Sequence, residues 1–232
     1  MHVKILLDLS ATVWYNIGIK LGRCGMRYKL CNINAYTEQQ YCAMYDIMDT
    51  ARQEKADRFR HEDDRMRCLC ADMLARKMLS QASGKAPKEI AFTIGHKGKP
   101  SANVPFHFNV SHSGDFVLCA VSDKPIGADI EQIKPFRAGL VGRYFTKDEA
   151  AYIRGGNPLP AAESVSDPDT CARFYRVWTA KEAYVKMTGT GISTDLTAVS
   201  FDPDTQTVCG MKLYTPDAPE GYVISILESD LA

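Results

Sequence analysis

The stretch Pro125-Ile126-Gly127-Ala128-Asp129-Ile130-Glu131 repeats with a period of two. In a β-strand, residues two apart share a face. Ile126, Ala128 and Ile130 are then expected to face a core, while Gly127, Asp129 and Glu131 face the other way. Two carboxylates side by side repel, and a divalent cation offsets that repulsion. Magnesium prefers oxygen ligands and usually keeps waters and phosphate oxygens in its shell. Alone, the pattern fits a solvated strand face as well as it fits a metal site.

Just upstream, Phe116 to Ser122 reads as a strongly apolar strand, and Lys124-Pro125 turns the chain. The two strands are expected to form a hairpin. Downstream, Thr146 and Glu149 spell a capping box. The Gly-, Pro-, Ser- and Asp-rich run from Gly155 to Asp169 reads as a loop or insertion. A long helix should open at Asp169 or Thr170 and stop at Gly189. On it, Glu182 and Lys186 share a face, and Lys181 lies beside Glu182, rotated by about 100°. The pair fits a solvent-exposed ion pair, worth about 0.3 kcal/mol. Read alone, the ion pair is favoured; beside a metal-bound phosphate the Glu would instead complete the metal shell or take a proton from a hydroxyl, with a lysine neutralising phosphate charge one turn on.

In the segment Phe108-Asn109-Val110-Ser111-His112-Ser113, polar residues cluster where a strand meets a loop. His112 suits donation to a phosphate. Adjacent strand residues point apart, so a Ser111–His112 nucleophile–base pair has poor geometry, and Ser111 better suits hydrogen bonding.

The rest of the chain frames these segments. His2 to Leu9 reads as a strand rather than a signal peptide. Thr37 with Gln40 caps one helix, Arg52 to Arg60 reads as a charged helix, and Asp64 to Gln81 is an amphipathic helix. Ile90 to Ile94 and Phe106 to Val110 are expected strands, separated by a loop over Gly95 to Pro105. Ala198 to Phe201, Thr207 to Tyr214 and Tyr222 to Leu227 supply strands in the tail. The expected class is α+β, in two halves of similar size, residues 1–123 and 124–232, without a close internal repeat. The chain has 232 residues, with 28 Lys+Arg against 28 Asp+Glu, so no overall field draws nucleic acid or an anionic membrane. No apolar run approaches the roughly 18 residues of a membrane span. None of the eight cysteines forms a CxxC pair or has structural-zinc spacing, which suits reduced thiols in the cytoplasm.

Together these segments resemble the larger, surfactin-synthetase-activating type of 4'-phosphopantetheinyl transferase. Gly127, Asp129 and Glu131 match its Gly-x-Asp-x-Glu strand. Trp178, Thr179, Lys181, Glu182, Ala183 and Lys186 match its Trp-(Ser/Thr)-x-Lys-Glu-(Ala/Ser)-x-x-Lys helix. Phe108 to Ser113, the loop Gly98-Lys99-Pro100 and the basic helix from Arg58-Phe59 to Arg67 follow in family order. The likeness covers roughly residues 50 to 200.

The resemblance implies a pseudo-twofold fold of two similar α+β halves and a transferase acting on coenzyme A. Asp129, Glu131 and Glu182 would hold Mg2+ together with the pyrophosphate. Glu182 would deprotonate the acceptor serine, and Lys186 would stabilise the departing phosphate. His112, Ser111, Lys99, Arg52, Lys55, Lys181 and Arg58 would contact coenzyme A or shape its pocket. Arg52 stands where relatives carry Lys, and Cys68 where some carry a hydroxyl. The acceptor would be an acyl carrier protein or a peptidyl or polyketide carrier domain, docking near Phe136 to Tyr144. A monomer is expected, since one chain could supply both walls of the cleft. A different magnesium-dependent phosphoryl or nucleotidyl transferase would use the same carboxylates.

Overall fold

A computed structural model of the chain describes residues 25–95, 98–156, 164–191 and 194–230. The expected strand at His2 to Leu9 lies outside the described residues. The architecture is α+β, built from two packed halves.

The first half opens with β1 (Arg27–Asn32), followed by α1 (Glu38–Asp46), α2 (Thr50–Asp57) and α3 (Glu62–Ser83). Then come β2 (Phe92–Ile94), β3 (Pro100–Ala102), β4 (His107–Ser113) and β5 (Phe116–Ser122). Thr37 and Gln40 form the expected capping box of α1, and Asp49 caps α2. The helix α3 ends at Gly84, which adopts a left-handed conformation. Its apolar stripe, including Leu69, Met73 and Met78, packs on one face of the antiparallel sheet β1-β5-β4.

The second half holds β6 (Ile126–Gln132), β7 (Phe136–Arg137), α4 (Gly139–Tyr144), α5 (Lys147–Arg154), β8 (Ser164–Val165) and α6 (Pro168–Thr188). Four strands complete it: β9 (Phe201–Asp202), β10 (Thr207–Val208), β11 (Met211–Tyr214) and β12 (Tyr222–Glu228). Thr146 and Glu149 cap α5 as expected. Asp167 caps α6, and Pro168 fills its first turn. The sheet runs β6-β12-β11-β10-β9. Each half therefore lays one long helix, α3 or α6, across an antiparallel sheet.

The expected hairpin between Phe116–Ser122 and Ile126–Ile130 does not form. β5 pairs with β1 and β4, whereas β6 pairs with β12. The reason is that β5 is apolar on both faces, so it can bury one face under α3 and the other against the apolar face of β6. Val117, Cys119 and Val121 of β5 pack towards α3. Phe116, Leu118 and Ala120 meet Ile126, Ala128, Ile130, Ile224 and Ile226 in a second, shared core. The chain turns a corner at Pro125, and the two sheets are joined face to face there.

The expected loop over Gly95 to Pro105 also contains a strand. β3 pairs with β2 because Gly98, at φ 82°, supplies the left-handed turn a hairpin needs. Within the Gly155–Asp169 insertion, Ser164–Val165 pairs with Phe136–Arg137.

Candidate active site

The site begins with Gly127. A Cβ there would stand 1.9 Å from the Ala183 carbonyl oxygen and 2.5 Å from the Met187 amide nitrogen. Only a glycine lets the α6 backbone lie this close to β6. That approach brings Lys186 onto Asp129, two residues further along the strand.

Asp129 is nearly enclosed. Its Oδ1 accepts from the Ser111 hydroxyl at 2.6 Å and from the Lys186 ammonium, which also donates to Ser111 Oγ at 2.9 Å. Its Oδ2 is buried and has no hydrogen-bond partner among the described residues. Ser113 donates to Glu131 Oε2 at 2.7 Å, and Asn109 Oδ1 accepts from the Ala128 amide at 2.9 Å. Alternate residues of β4 thus stitch it to β6.

Val110, Ser111, His112, Asp129, Glu131, Trp178, Glu182 and Lys186 surround a cleft of about 320 Å³. Burial, and then the charge of Asp129, push the Glu182 carboxyl above its ordinary range, with Lys186 opposing. Burial also raises Glu131, against its bond from Ser113. For His112, burial lowers the ring's pKa first, then Arg67 and Lys186 add to it. Arg67 itself braces the next turn, donating to the Gly114 carbonyl at 2.7 Å.

Two larger cavities flank this cleft. One, of about 460 Å³, is walled by Val110, Tyr144, Trp178, Val185 and Leu196 and reaches Glu182 and Lys186. The other, of about 580 Å³, holds Arg52, Lys55, Cys68, Phe92 and Phe108 and shares His112 with the central cleft; its two carboxylates, Asp49 and Asp64, are paired with Arg76 and Arg67, which leaves Arg52 and Lys55 to set its charge. The charged cleft opens onto the apolar groove through Trp178, Glu182 and Lys186 and onto the cationic pocket through His112, and all three spaces meet at Val110.

Both halves of the chain match known family models. Residues 35–124 match "4'-phosphopantetheinyl transferase, N-terminal", and residues 125–228 match the "4'-phosphopantetheinyl transferase superfamily". A 4'-phosphopantetheinyl transferase of Bacillus subtilis is 34% identical, over 79% of this chain and 83% of its own length. The chain belongs to the 4'-phosphopantetheinyl transferase superfamily. The transferase Sfp of Bacillus subtilis strain 168 is 33% identical, over 75% of this chain and 79% of its own. For psf-1 of Bacillus pumilus the identity is 35%, over 70% and 71%.

In this transferase the expected site residues separate into three groups. Asp129, Glu131, Glu182, Lys186, Ser111 and His112 converge on the central cleft, and Arg52 and Lys55 line the cationic pocket. Lys99 lines the apolar groove, its ammonium bonded to the Met187 carbonyl at 2.7 Å and the Ile126 carbonyl at 3.4 Å.

Lys181 and Arg58 are corrections. The Lys181 side chain is fully buried, away from the cleft, because the turn of about 100° from Glu182 points it into the core. Its ammonium meets Glu149 Oε2 at 2.5 Å and the carbonyls of Tyr144 and Leu196, each at 3.0 Å. All three of its protons are thereby used. Arg58 caps the end of α2 with 79% of its side chain in solvent, paired with Glu54 at 3.5 Å, and lines none of the three cavities.

Trp178 and Ser113 have no site role in the sequence pattern, and Tyr144 appears there only at the end of the segment expected to dock the carrier. Ser113 was readable, since it shares a strand face with Ser111. Tyr144 and Leu196 become walls only through tertiary packing, and no local pattern marks them.

For a divalent cation, the donor chemistry fits. Asp129 Oδ2 is a buried acceptor with no hydrogen-bond partner among the described residues, and Glu131 and Glu182 line the same cleft. Among the described residues, no three acidic, His or Cys side chains already stand close enough to hold a metal unaided. Such a set suits an ion that keeps several waters or takes phosphate oxygens as ligands.

Proposed function

We propose that this transferase moves the 4'-phosphopantetheine of coenzyme A onto a serine of an acyl carrier protein, or of a peptidyl or polyketide carrier domain, and releases 3',5'-ADP. The observation that carries this reading is the Asp129 centre opening onto two unlike cavities, one through Trp178, Glu182 and Lys186 and the other through His112. Coenzyme A has the same order: an apolar-compatible arm, a pyrophosphate and a phosphorylated nucleotide. The arm suits the Trp178–Tyr144 groove, the pyrophosphate suits the central cleft, and the nucleotide end suits the Arg52–Lys55 pocket.

Mg2+ would be held by Asp129, Glu131 and Glu182, and when bound it would neutralise pyrophosphate charge and polarise its oxygens. Glu182 takes the proton of the carrier serine, a task its raised pKa favours. The serine oxygen forms a bond to the β-phosphorus. The bond from that phosphorus to the bridging oxygen breaks, and the oxygen leaves with 3',5'-ADP. Lys186, held by Asp129 and Ser111, stabilises the charge that develops there. His112 donates to a phosphate oxygen.

Residues 1–123 would supply the nucleotide pocket and residues 124–232 the carboxylates. One chain supplies both walls, so a monomer should be competent. No helix among the described residues is long and apolar enough to cross a membrane. The described cysteines are free thiols, in keeping with a cytoplasmic site where coenzyme A is available. The balanced charge offers nothing to nucleic acid.

The test is a mass measurement. Incubation with coenzyme A, magnesium and a carrier protein should add one phosphopantetheine to the carrier. No increment on any of several carrier proteins would sink the reading.

A further inference from the structure

Beneath the cationic pocket lies a charge network that the reaction itself does not use. Asp72 and Arg76, one turn apart on α3, are both buried. Arg76 Nε donates to Asp72 Oδ2 at 2.5 Å, Nη1 donates to the Ile90 carbonyl, and Nη2 reaches Asp49 Oδ2 at 3.2 Å. Asp49 is the N-cap of α2, and its Oδ1 accepts from the Arg52 amide at 3.0 Å. Asp72 Oδ1 is buried and has no hydrogen-bond partner among the described residues. It faces Arg52 Nε at 3.7 Å. Both guanidinium groups lie over the Phe92 ring, Arg76 at 4.9 Å and Arg52 at 5.5 Å from its centroid.

The two arginines have different duties. Arg76 spends its donors inside the protein. Arg52 is drawn to Asp72 by its Nε edge, lies on an aromatic ring and lines the pocket. A guanidinium is flat, so the attraction of Asp72 at 3.7 Å on its Nε edge and the Phe92 ring against its face together orient the opposite edge.

We propose that Asp72 is a positioning residue for the nucleotide end of coenzyme A. It holds Arg52 so that the free Nη edge meets the 3'-phosphate, and it thereby sets the preference for coenzyme A over 3'-dephospho-coenzyme A. This inference rests on the proposed function.

The experiment compares the two nucleotides as donors at saturating carrier protein. In D72N, KM for coenzyme A should rise roughly tenfold, as expected for one weakened charge-assisted contact. The kcat, and KM for 3'-dephospho-coenzyme A, should stay within about twofold. R52A should lose the same preference, and D72N/R52A should lose no more of it. A purely structural role would raise KM for both donors together, and that result, or an unchanged ratio, overturns the proposal. If D72N does not fold because Arg76 is stranded, D72N/R76M removes both buried charges at once and must show the same fall in preference. Parental protein that fails to transfer from coenzyme A refutes the proposed function. Parental protein that transfers, beside a D72N variant with its preference intact, refutes this inference alone.

Discussion

Two lysines of α6 each meet a buried carboxylate, Lys181 on Glu149 of α5 and Lys186 on Asp129 of β6, and the two pairs differ in how completely they are satisfied. Lys181 and Glu149 are 0% and 1% exposed, 2.5 Å apart, and every ammonium proton has an acceptor. Glu149 also accepts from the Phe201 and Thr146 amides, each at 2.8 Å. Lys186 and Asp129 are 28% and 3% exposed, and one Asp129 oxygen has no hydrogen-bond partner among the described residues. The first pair is closed and ties α6 to the residues on both sides of the apolar groove. The second is open and points unfinished chemistry at a cleft. A buried ion pair is thus evidence of a site only when its hydrogen-bonding capacity is left incomplete.

Breaking the open pair should have the largest effect. Asp129→Ala should reduce transfer by at least about a thousandfold with the fold retained, and Lys186→Met by about a hundred- to thousandfold. Carrier mass increments and a thermal unfolding curve read both quantities. Parental transfer by Asp129→Ala, with magnesium as the only metal, would remove the cleft from consideration.

Breaking the closed pair should act on stability instead. Lys181→Met leaves Glu149 charged in the core and should cost about 3–5 kcal/mol. Adding Glu149→Leu should recover part of that loss. Urea midpoints measure it. A Lys181→Met protein of parental stability that binds coenzyme A poorly would show the closed pair to be part of the site after all.

The contrast also shows how much was legible. The period of two along Ile126–Glu131 matches the facing of these six residues in β6, because alternation along a strand is a local property. Helix caps at Thr37 and Thr146 were equally local. The β5–β6 pairing was misjudged because a short connection does not distinguish a ladder from two sheets packed face to face. Lys181 was misassigned for a related reason. Its neighbour Glu182 faces the cleft, and only the packing of α5 and the Leu196 segment against α6 shows that Lys181 does not. Asp72 stood in plain view on an apolar stripe, yet its meaning required knowing that Asp49, Arg52 and Phe92 fold back over it.

The smallest expected effect sharpens the comparison at its edge, where His112 joins the open cleft to the cationic pocket. Burial, Arg67 and Lys186 hold the ring below its ordinary pKa of 6.5, with Asp64 opposing. The folded protein therefore binds fewer protons there than the unfolded chain. The stability contributed by this group is present above the unfolded pKa and is lost as pH falls through the folded value. A bound phosphate reverses the local balance and favours the charged ring, so binding of coenzyme A should draw in a proton. Affinity should then gain about threefold from His112 between about pH 8 and about pH 6. The secondary phosphate of coenzyme A titrates in the same range, so the decisive quantity is the difference between the parent and H112Q. Calorimetry in two buffers of unlike ionisation heat should show net proton uptake in the parent that exceeds that in H112Q. Equal uptake, and equal pH slopes of affinity, would mean that His112 does not touch the phosphate and that the open pair carries the cleft's anion recognition without it.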